Sequence, residues 1–341
     1  MLLDTDKFMR NTRKRAEIII KLNYFTFLVC RLSSARMHKR WATFFILRFR
    51  FAVAFFCFKQ YNLGVEIFDI FSNERNEGKV KKKLYFGSNL KMYKNIQSTV
   101  SYLQRLAQLT HDLPRDMVEL FIIPSYTTLP DAVRSIDRDL IRLGAQNMSW
   151  EDEGQFTGEI SPLMLRELEL NLVMIGHSER RHVFGETDYE ENKKVLTALR
   201  HGMTALLCIG ETAQEKEFGV SAEVLRSQIK IGLHGVTAEQ LPQIWIAYEP
   251  VWSIGVNGTP ASPDYAEAMH KVIKGCLGEL FGAQAETIPV LYGGSVNPSN
   301  ANELICQPSI DGLFTGRAAW DADKFNLLIR DAITAHATVS E

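Results

Sequence analysis

From residue 84 onward the chain repeats one unit: a short apolar, β-branched-rich run, then a stretch of helical periodicity. The runs are LYFGSN from 84, VELFIIP from 118, IRLGAQN from 141 and LVMIGHSE from 172. They continue with TALLCIGE from 204, IWIAYEP from 244, IPVLYGGS from 288 and DGLFTGR from 311. Between them, segments such as YEENKKVLTALRHG (189–202) and SAEVLRSQIKIGL (221–233) carry apolar residues three and four apart, with charges between. Single strands alternating with helices require a parallel sheet covered by helices. Eight repeats over residues 84–341 match the usual size of a closed parallel (β/α)8 barrel, so α/β of that type is the expected fold. A doubly wound open sheet usually has a GxGxxG turn after its first strand, and GSNLKMYK (87–94) has none.

Residues 1–83 do not share this pattern. They carry 18 Lys/Arg against 7 Asp/Glu, a net +11, whereas the remainder holds 21 against 33, a net −12. They also hold 15 of the 35 aromatic residues and none of the 11 prolines. The stretch WATFFILRFRFAVAFFCF (41–58) approaches bilayer-spanning length. Arg48 and Arg50 near its middle oppose insertion, at about 2.5–3.5 kcal/mol each. It also starts too late for a signal peptide, and no small-residue cleavage site follows. Three readings stay open: translated upstream noncoding sequence with the true start near Val80, an amphipathic membrane-surface anchor, and a folded accessory element. The first is taken forward, with 1–83 as a basic, aromatic-rich extension that is non-native or disordered, and 84–341 as the working domain.

The whole-chain net charge of −1 gives no argument for nucleic acid or an anionic membrane as partner. Five cysteines (Cys30, Cys57, Cys208, Cys276, Cys306) are widely spaced and form no CxxC or Cys/His metal pattern. Free thiols fit a reducing, cytoplasmic setting.

Nearly every apolar run ends in polar or glycine residues: Asn89 and Lys91, Gln146 and Asn147, His177 to Arg181, Glu211, Glu249, Gly293 to Ser295, Gly316 and Arg317. In a parallel barrel these strand ends share one face, where the active site is built. Lys91 alone reads as a surface lysine, His177 alone as a hydrogen-bonded structural histidine, and YGGS alone as a tight turn. Their positions at matched strand ends point to a shared site.

The motifs SNLKMYKN (88–95), FTGEIS (156–161), IGHSERR (175–181), CIGE (208–211), AYEPVWSIG (247–255), YGGSV (292–296) and DGLFTGR (311–317) together resemble the triosephosphate isomerase family. The resemblance spans residues 84–330, and residues 1–83 have no counterpart in it. It implies interconversion of dihydroxyacetone phosphate and glyceraldehyde 3-phosphate through an enediolate, with no metal or organic cofactor.

On the matching positions, Glu249 corresponds to the family's general base. His177 corresponds to its electrophile, at a helix N-terminus whose dipole disfavours the imidazolium. Lys91 supplies fixed positive charge, Asn89 orients a substrate oxygen, and Glu179 resembles a supporting carboxylate or proton relay. Gly255, Ser295, Gly316 and Arg317 match the phosphate contacts, where backbone N–H groups grip the anion. SIGVNG resembles a lid hinged at Pro250-Val251-Trp252.

Three departures stand out. Gly316-Arg317 replaces a usual Gly-Gly, GVNGTPASP (255–263) lacks a usual lysine and is about one residue longer, and Leu90 replaces a usual tryptophan. An arginine at 317 is tolerable provided its φ is not strongly positive. With GEISPLML (158–165) and GRAAW (316–320), these features resemble a branch acting on four-carbon ketose phosphates, converting L-erythrulose 1-phosphate to D-erythrulose 4-phosphate. Triose phosphate, the family default, is the first expectation and the tetrulose phosphate the alternative. A catalytically dead sugar-phosphate-binding barrel is the remote third, since Lys91, His177 and Glu249 are all present. The long loop AQNMSWEDEGQFTGEIS (145–161) implies a homodimer, with Thr157 and Glu159 reaching toward the partner's Asn89 and Arg181 region.

Overall fold

The computed structural model describes residues 82–255 and 258–340. Apart from Lys82 and Lys83, the expected extension lies outside the described residues, as do Val256 and Asn257 of the loop after the sixth strand.

All eight expected strands form: β1 Leu84–Asn89, β2 Val118–Ile123, β3 Arg142–Leu143, β4 Leu172–Ile175, β5 Thr204–Ile209, β6 Ile244–Tyr248, β7 Val290–Tyr292 and β8 Gly312–Thr315. Each pairs parallel with its neighbours, in the order β3-β2-β1-β8-β7-β6-β5-β4. A parallel bridge between Ala145 and Val173 brings the β3 side against β4 and closes the ring. Its bonds run from Ala145 N–H to the Leu172 carbonyl at 3.0 Å and from Met174 N–H to the Ala145 carbonyl at 2.9 Å. The fold is therefore a (β/α)8 barrel. β3 is shorter than the run IRLGAQN suggests, because Gln146 and Asn147 leave the ladder and bond to side chains and loops instead.

The helices follow in turn: α1 Ile96–Thr110, α2 Leu129–Ser135, α3 Pro162–Glu167, α4 Ser178–His182 and α5 Asp188–Arg200. They continue with α6 Ala213–Glu217, α7 Ser221–Gly232, α8 Pro263–Phe281, α9 Ala301–Ile305 and α10 Ala322–Ser340. The start of α5 is set by Thr187, whose side chain accepts the Glu190 N–H while the Glu190 carboxylate accepts the Thr187 N–H.

Strand alternation separates two apolar layers. Phe86, Leu120, Ile122 and Val173 face outward and pack on Leu103 and Leu106 of α1, Val195 of α5 and Ile229 of α7. Tyr85, Phe121, Trp245 and Phe314 face inward, with Met174, Leu206, Cys208 and Ala247 in the same inner cluster. The Trp245 ring meets Tyr85 at 5.0 Å and Phe121 at 5.4 Å. Gly87 is required by this inner packing, since a Cβ there would lie 2.0 Å from the tip of Phe121. The barrel is thus filled by side chains, leaving chemistry to its C-terminal mouth.

Candidate active site

Along β6, Trp245 and Ala247 point into the barrel, and Glu249 is the next residue of that parity. It is only 2% exposed. Its backbone N–H donates to the Ile209 carbonyl at 2.7 Å, and its carboxylate accepts the Ser178 N–H at 3.2 Å. The surrounding backbone approaches closely: a Cβ on Gly210 would lie 1.9 Å from the Glu249 carbonyl oxygen. Burial and the Glu249 carboxylate together push the neighbouring Cys208 thiol well above its usual range, which leaves it inert as a nucleophile.

His177 ends the loop after β4 and caps α4, with its Nδ1 accepting the Glu179 N–H at 3.1 Å. An accepting Nδ1 places the ring hydrogen on Nε2, which lies 3.7 Å from Glu249 Oε1. Glu179, half exposed, links the histidine to the lysine. One of its carboxylate oxygens is 3.7 Å from His177 Nδ1 and the other is 2.5 Å from Lys91 Nζ.

Lys91 sits just beyond β1 in the left-handed region, with φ of 51°. A non-glycine residue there is costly and is held by its surroundings. Its N–H donates to Asn89 Oδ1 at 2.8 Å, while Gln146 Nε2 donates to the Lys91 carbonyl at 2.8 Å and to Asn89 Oδ1 at 3.2 Å. Trp320 Nε1 donates to the Asn89 carbonyl at 2.9 Å. Gln146, Ser178 and Trp320 were not among the site residues expected from sequence. Gln146 carried a signal as a polar strand end, whereas the contacts of Ser178 and Trp320 exist only through tertiary structure.

The strand ends of β6, β7 and β8 meet on the other side. Gly255 has φ of 93°, and Ser295 N–H donates to Ser253 Oγ at 2.9 Å. Gly316 precedes a 3-10 turn, Arg317–Ala319. Among the described non-glycine residues only Lys91 and Glu169 have positive φ, so Arg317 carries no such strain. Its Nη2 donates to the Gly255 carbonyl at 3.0 Å. Behind the loop, the fully buried Glu211 accepts from Trp252 Nε1 at 2.8 Å, Tyr265 Oη at 2.8 Å and Tyr248 Oη at 3.1 Å. Burial and this carboxylate raise the Tyr248 phenol, and the Tyr265 phenol is pushed up to about 12, first by burial. Three aromatic donors on one carboxylate anchor the turn from which the loop departs.

The structure therefore brings Asn89, Lys91, His177, Glu179 and Glu249 together, with Gly255 and Arg317 in mutual contact. Thr157 and Glu159 are exposed on the loop after β3. Arg181 is turned into its own barrel, donating to the Gly176 carbonyl at 2.8 Å and the Cys208 carbonyl at 2.9 Å. It also pairs with Asp188 and Glu191. Among the described residues no helix is long and apolar enough to cross a membrane.

A buried carboxylate beside an imidazole, with a lysine tied in through Glu179, can move a proton between adjacent carbons and steady the oxyanion formed on the way. On a (β/α)8 frame this arrangement is that of a sugar-phosphate isomerase. The chain belongs to the triosephosphate isomerase family, whose model matches residues 84–332. It is 49% identical over 245 residues to an L-erythrulose-1-phosphate isomerase of Rhizobium etli, covering 71% of this chain and 90% of the relative. It is 46% identical over 242 residues to the enzyme of that name from Mesorhizobium japonicum, covering 71% and 94%. It is 41% identical over 257 residues to the one from Brucella abortus, covering 75% and 99%.

Proposed function

We propose that the protein isomerises a four-carbon ketose phosphate, converting L-erythrulose 1-phosphate to D-erythrulose 4-phosphate. The observation that carries this reading is the name shared by relatives 41–49% identical over nearly their whole length. The departures at Leu90 and Arg317 favour the same branch over the triose default.

In this reading Glu249 removes the proton on C3, and the C–H electron pair forms the C2=C3 bond of an enediolate. The C2 oxygen takes the negative charge and is met by His177 Nε2–H, with Lys91 and Asn89 on the same side of the mouth. A proton passes from the C3 hydroxyl to the C2 oxygen by way of the imidazole. Glu249 then returns a proton to C2, so the carbonyl has moved from C2 to C3 with no net change in atoms or electrons. The deciding experiment measures kcat/KM on L-erythrulose 1-phosphate and on dihydroxyacetone phosphate. The tetrulose phosphate is expected to be preferred by about a thousandfold or more, and a preference for the triose phosphate would overturn the reading.

The same reading places the activity in residues 84–341, in the cytoplasm, and in a homodimer. Support for the dimer comes from apolar side chains left in solvent on loops after β1, β3 and β4: Met92 (94% exposed), Tyr93, Phe156, Val183 and Phe184. Thr157 and Glu159 lie on the same β3 loop, and in this reading they approach the Asn89 and Arg181 region of the partner subunit. Sedimentation of protein beginning at Val80 and of the full chain tests this, and a fully active monomer would exclude it.

A further inference from the structure

In (β/α)8 enzymes phosphate is frequently bound by the loops after the seventh and eighth strands and by the start of a short extra helix. Here those loops are Gly293–Ser295 and Gly316–Arg317, and the 3-10 turn Arg317–Ala319 begins at that place. One of the amide donors such a site offers is already committed, because Ser295 N–H is bonded to Ser253 Oγ. The lysine at the mouth is also committed, since Lys91 Nζ lies against the Glu179 carboxylate. Arg317 differs from both. Its guanidinium is exposed, bonds through Nη2 to the Gly255 carbonyl, and has no carboxylate in ion-pair range among the described residues.

We propose that the Arg317 side chain sets phosphate affinity in this site, as a cation fixed on the Gly255 carbonyl and presented to the substrate's phosphate. The inference rests on the sugar-phosphate reading above but not on which sugar is bound. A guanidinium is a planar fork of five donors, so one N–H can hold the loop backbone while others remain for an anion. Anchoring on Gly255 restricts the side chain before the ligand arrives, which reduces the entropy lost on binding. The Gly255 backbone, at φ of 93°, adopts a conformation that a side-chain-bearing residue would resist.

Two variants separate charge from bulk, Arg317→Gln and Arg317→Lys, read by competitive inhibition with inorganic phosphate and by KM for the preferred sugar phosphate. For Arg317→Gln both constants are expected to rise together by about fivefold or more, with the loss falling on KM more than on kcat. Arg317→Lys is expected to rise less, and the gap between the variants to narrow as salt is added. The proposal is overturned by a smaller rise in the phosphate inhibition constant of Arg317→Gln. It is equally overturned by equal values for the two variants, or by a fall in kcat with phosphate inhibition unchanged, which would mark a role in loop support alone. Failure of the tetrulose reading would be distinguishable, because it would show in the wild-type substrate preference and leave the phosphate series intact.

Discussion

The Glu249 carboxylate accepts the backbone N–H of Ser178, the residue that follows His177, at 3.2 Å. One hydrogen bond thus couples the end of β6 to the start of α4, and with them the base to the electrophile. Glu249→Gln keeps an acceptor for Ser178 and nearly the same shape but removes the basicity. Its kcat is expected to fall by about 10³, with KM and the thermal midpoint little changed. Glu249→Asp stays basic but sits about 1 Å short, and is expected to lose about 10². Steady-state kinetics check both, and a glutamine variant with near wild-type turnover would remove Glu249 from the mechanism.

Lys91 holds a left-handed backbone that a side chain makes costly, by about 1–2 kcal/mol. The strain persists because Asn89 and Gln146 bond both sides of its peptide, and it aims the ammonium at the mouth. Lys91→Gly and Lys91→Ala should both lose about 10²–10³ in kcat/KM by removing a preorganised charge. They should differ in stability, with glycine the more stable by about 1 kcal/mol, since only alanine retains a Cβ at positive φ. Urea unfolding of the pair measures this, and equal stabilities would mean that the backbone relaxes.

Trp320, just beyond β8, donates to the Asn89 carbonyl at the end of the adjacent β1, and the Tyr93 ring lies 4.4 Å from its own. Trp320→Phe retains an aromatic against Tyr93 but loses the donor. It is expected to cost about 1 kcal/mol of stability. Because the Asn89–Lys91 turn then loses a tether, a roughly tenfold fall in kcat/KM should accompany it. Unchanged kinetics with the stability loss intact would make Trp320 a packing residue only.

The contrast between Glu249 and Trp320 shows what the chain makes legible. Glu249, His177 and Lys91 end apolar runs, and a parallel barrel gathers such ends on one face whatever the helices do, so local pattern suffices. Trp320 acts on a residue 231 positions away, and nothing in GRAAW says which carbonyl its indole will find. Arg181 belongs to the same illegible class. Its place near the site was readable, but the carboxylates that turn it inward, Asp188 and Glu191, are defined only once α5 packs beside β4 and β5. β3 was legible in existence and not in length, since its polar end leaves the ladder for side-chain partners. Substrate choice was the least legible feature. The resemblance implies the same proton-transfer groups for three and four carbons, and only departures such as Leu90 and Arg317 point toward one branch over the other.

His270 gives a test of stability independent of catalysis. It is fully buried on α8 between the rings of Tyr248 and Tyr292, at 5.7 and 6.2 Å, with Nδ1 donating to the Ser309 carbonyl at 3.3 Å. Burial pushes its pKa from 6.5 down to about 3, against Asp311, which favours the charged form, and with Lys274 and Lys82, which oppose it. Between those values the unfolded chain binds a proton that the folded chain refuses. Stability is therefore full above the unfolded value and falls as pH drops toward the folded one, with a slope approaching about 1.4 kcal/mol per pH unit. His270→Phe removes this term while other acid-sensitive groups remain. The variant starts less stable at about pH 7, having lost the Ser309 bond, and its deficit relative to wild type should shrink as pH falls and reverse before about pH 4. Urea unfolding across that range would show curves that converge and cross, whereas parallel ones would mean that the imidazole accepts its proton inside the fold.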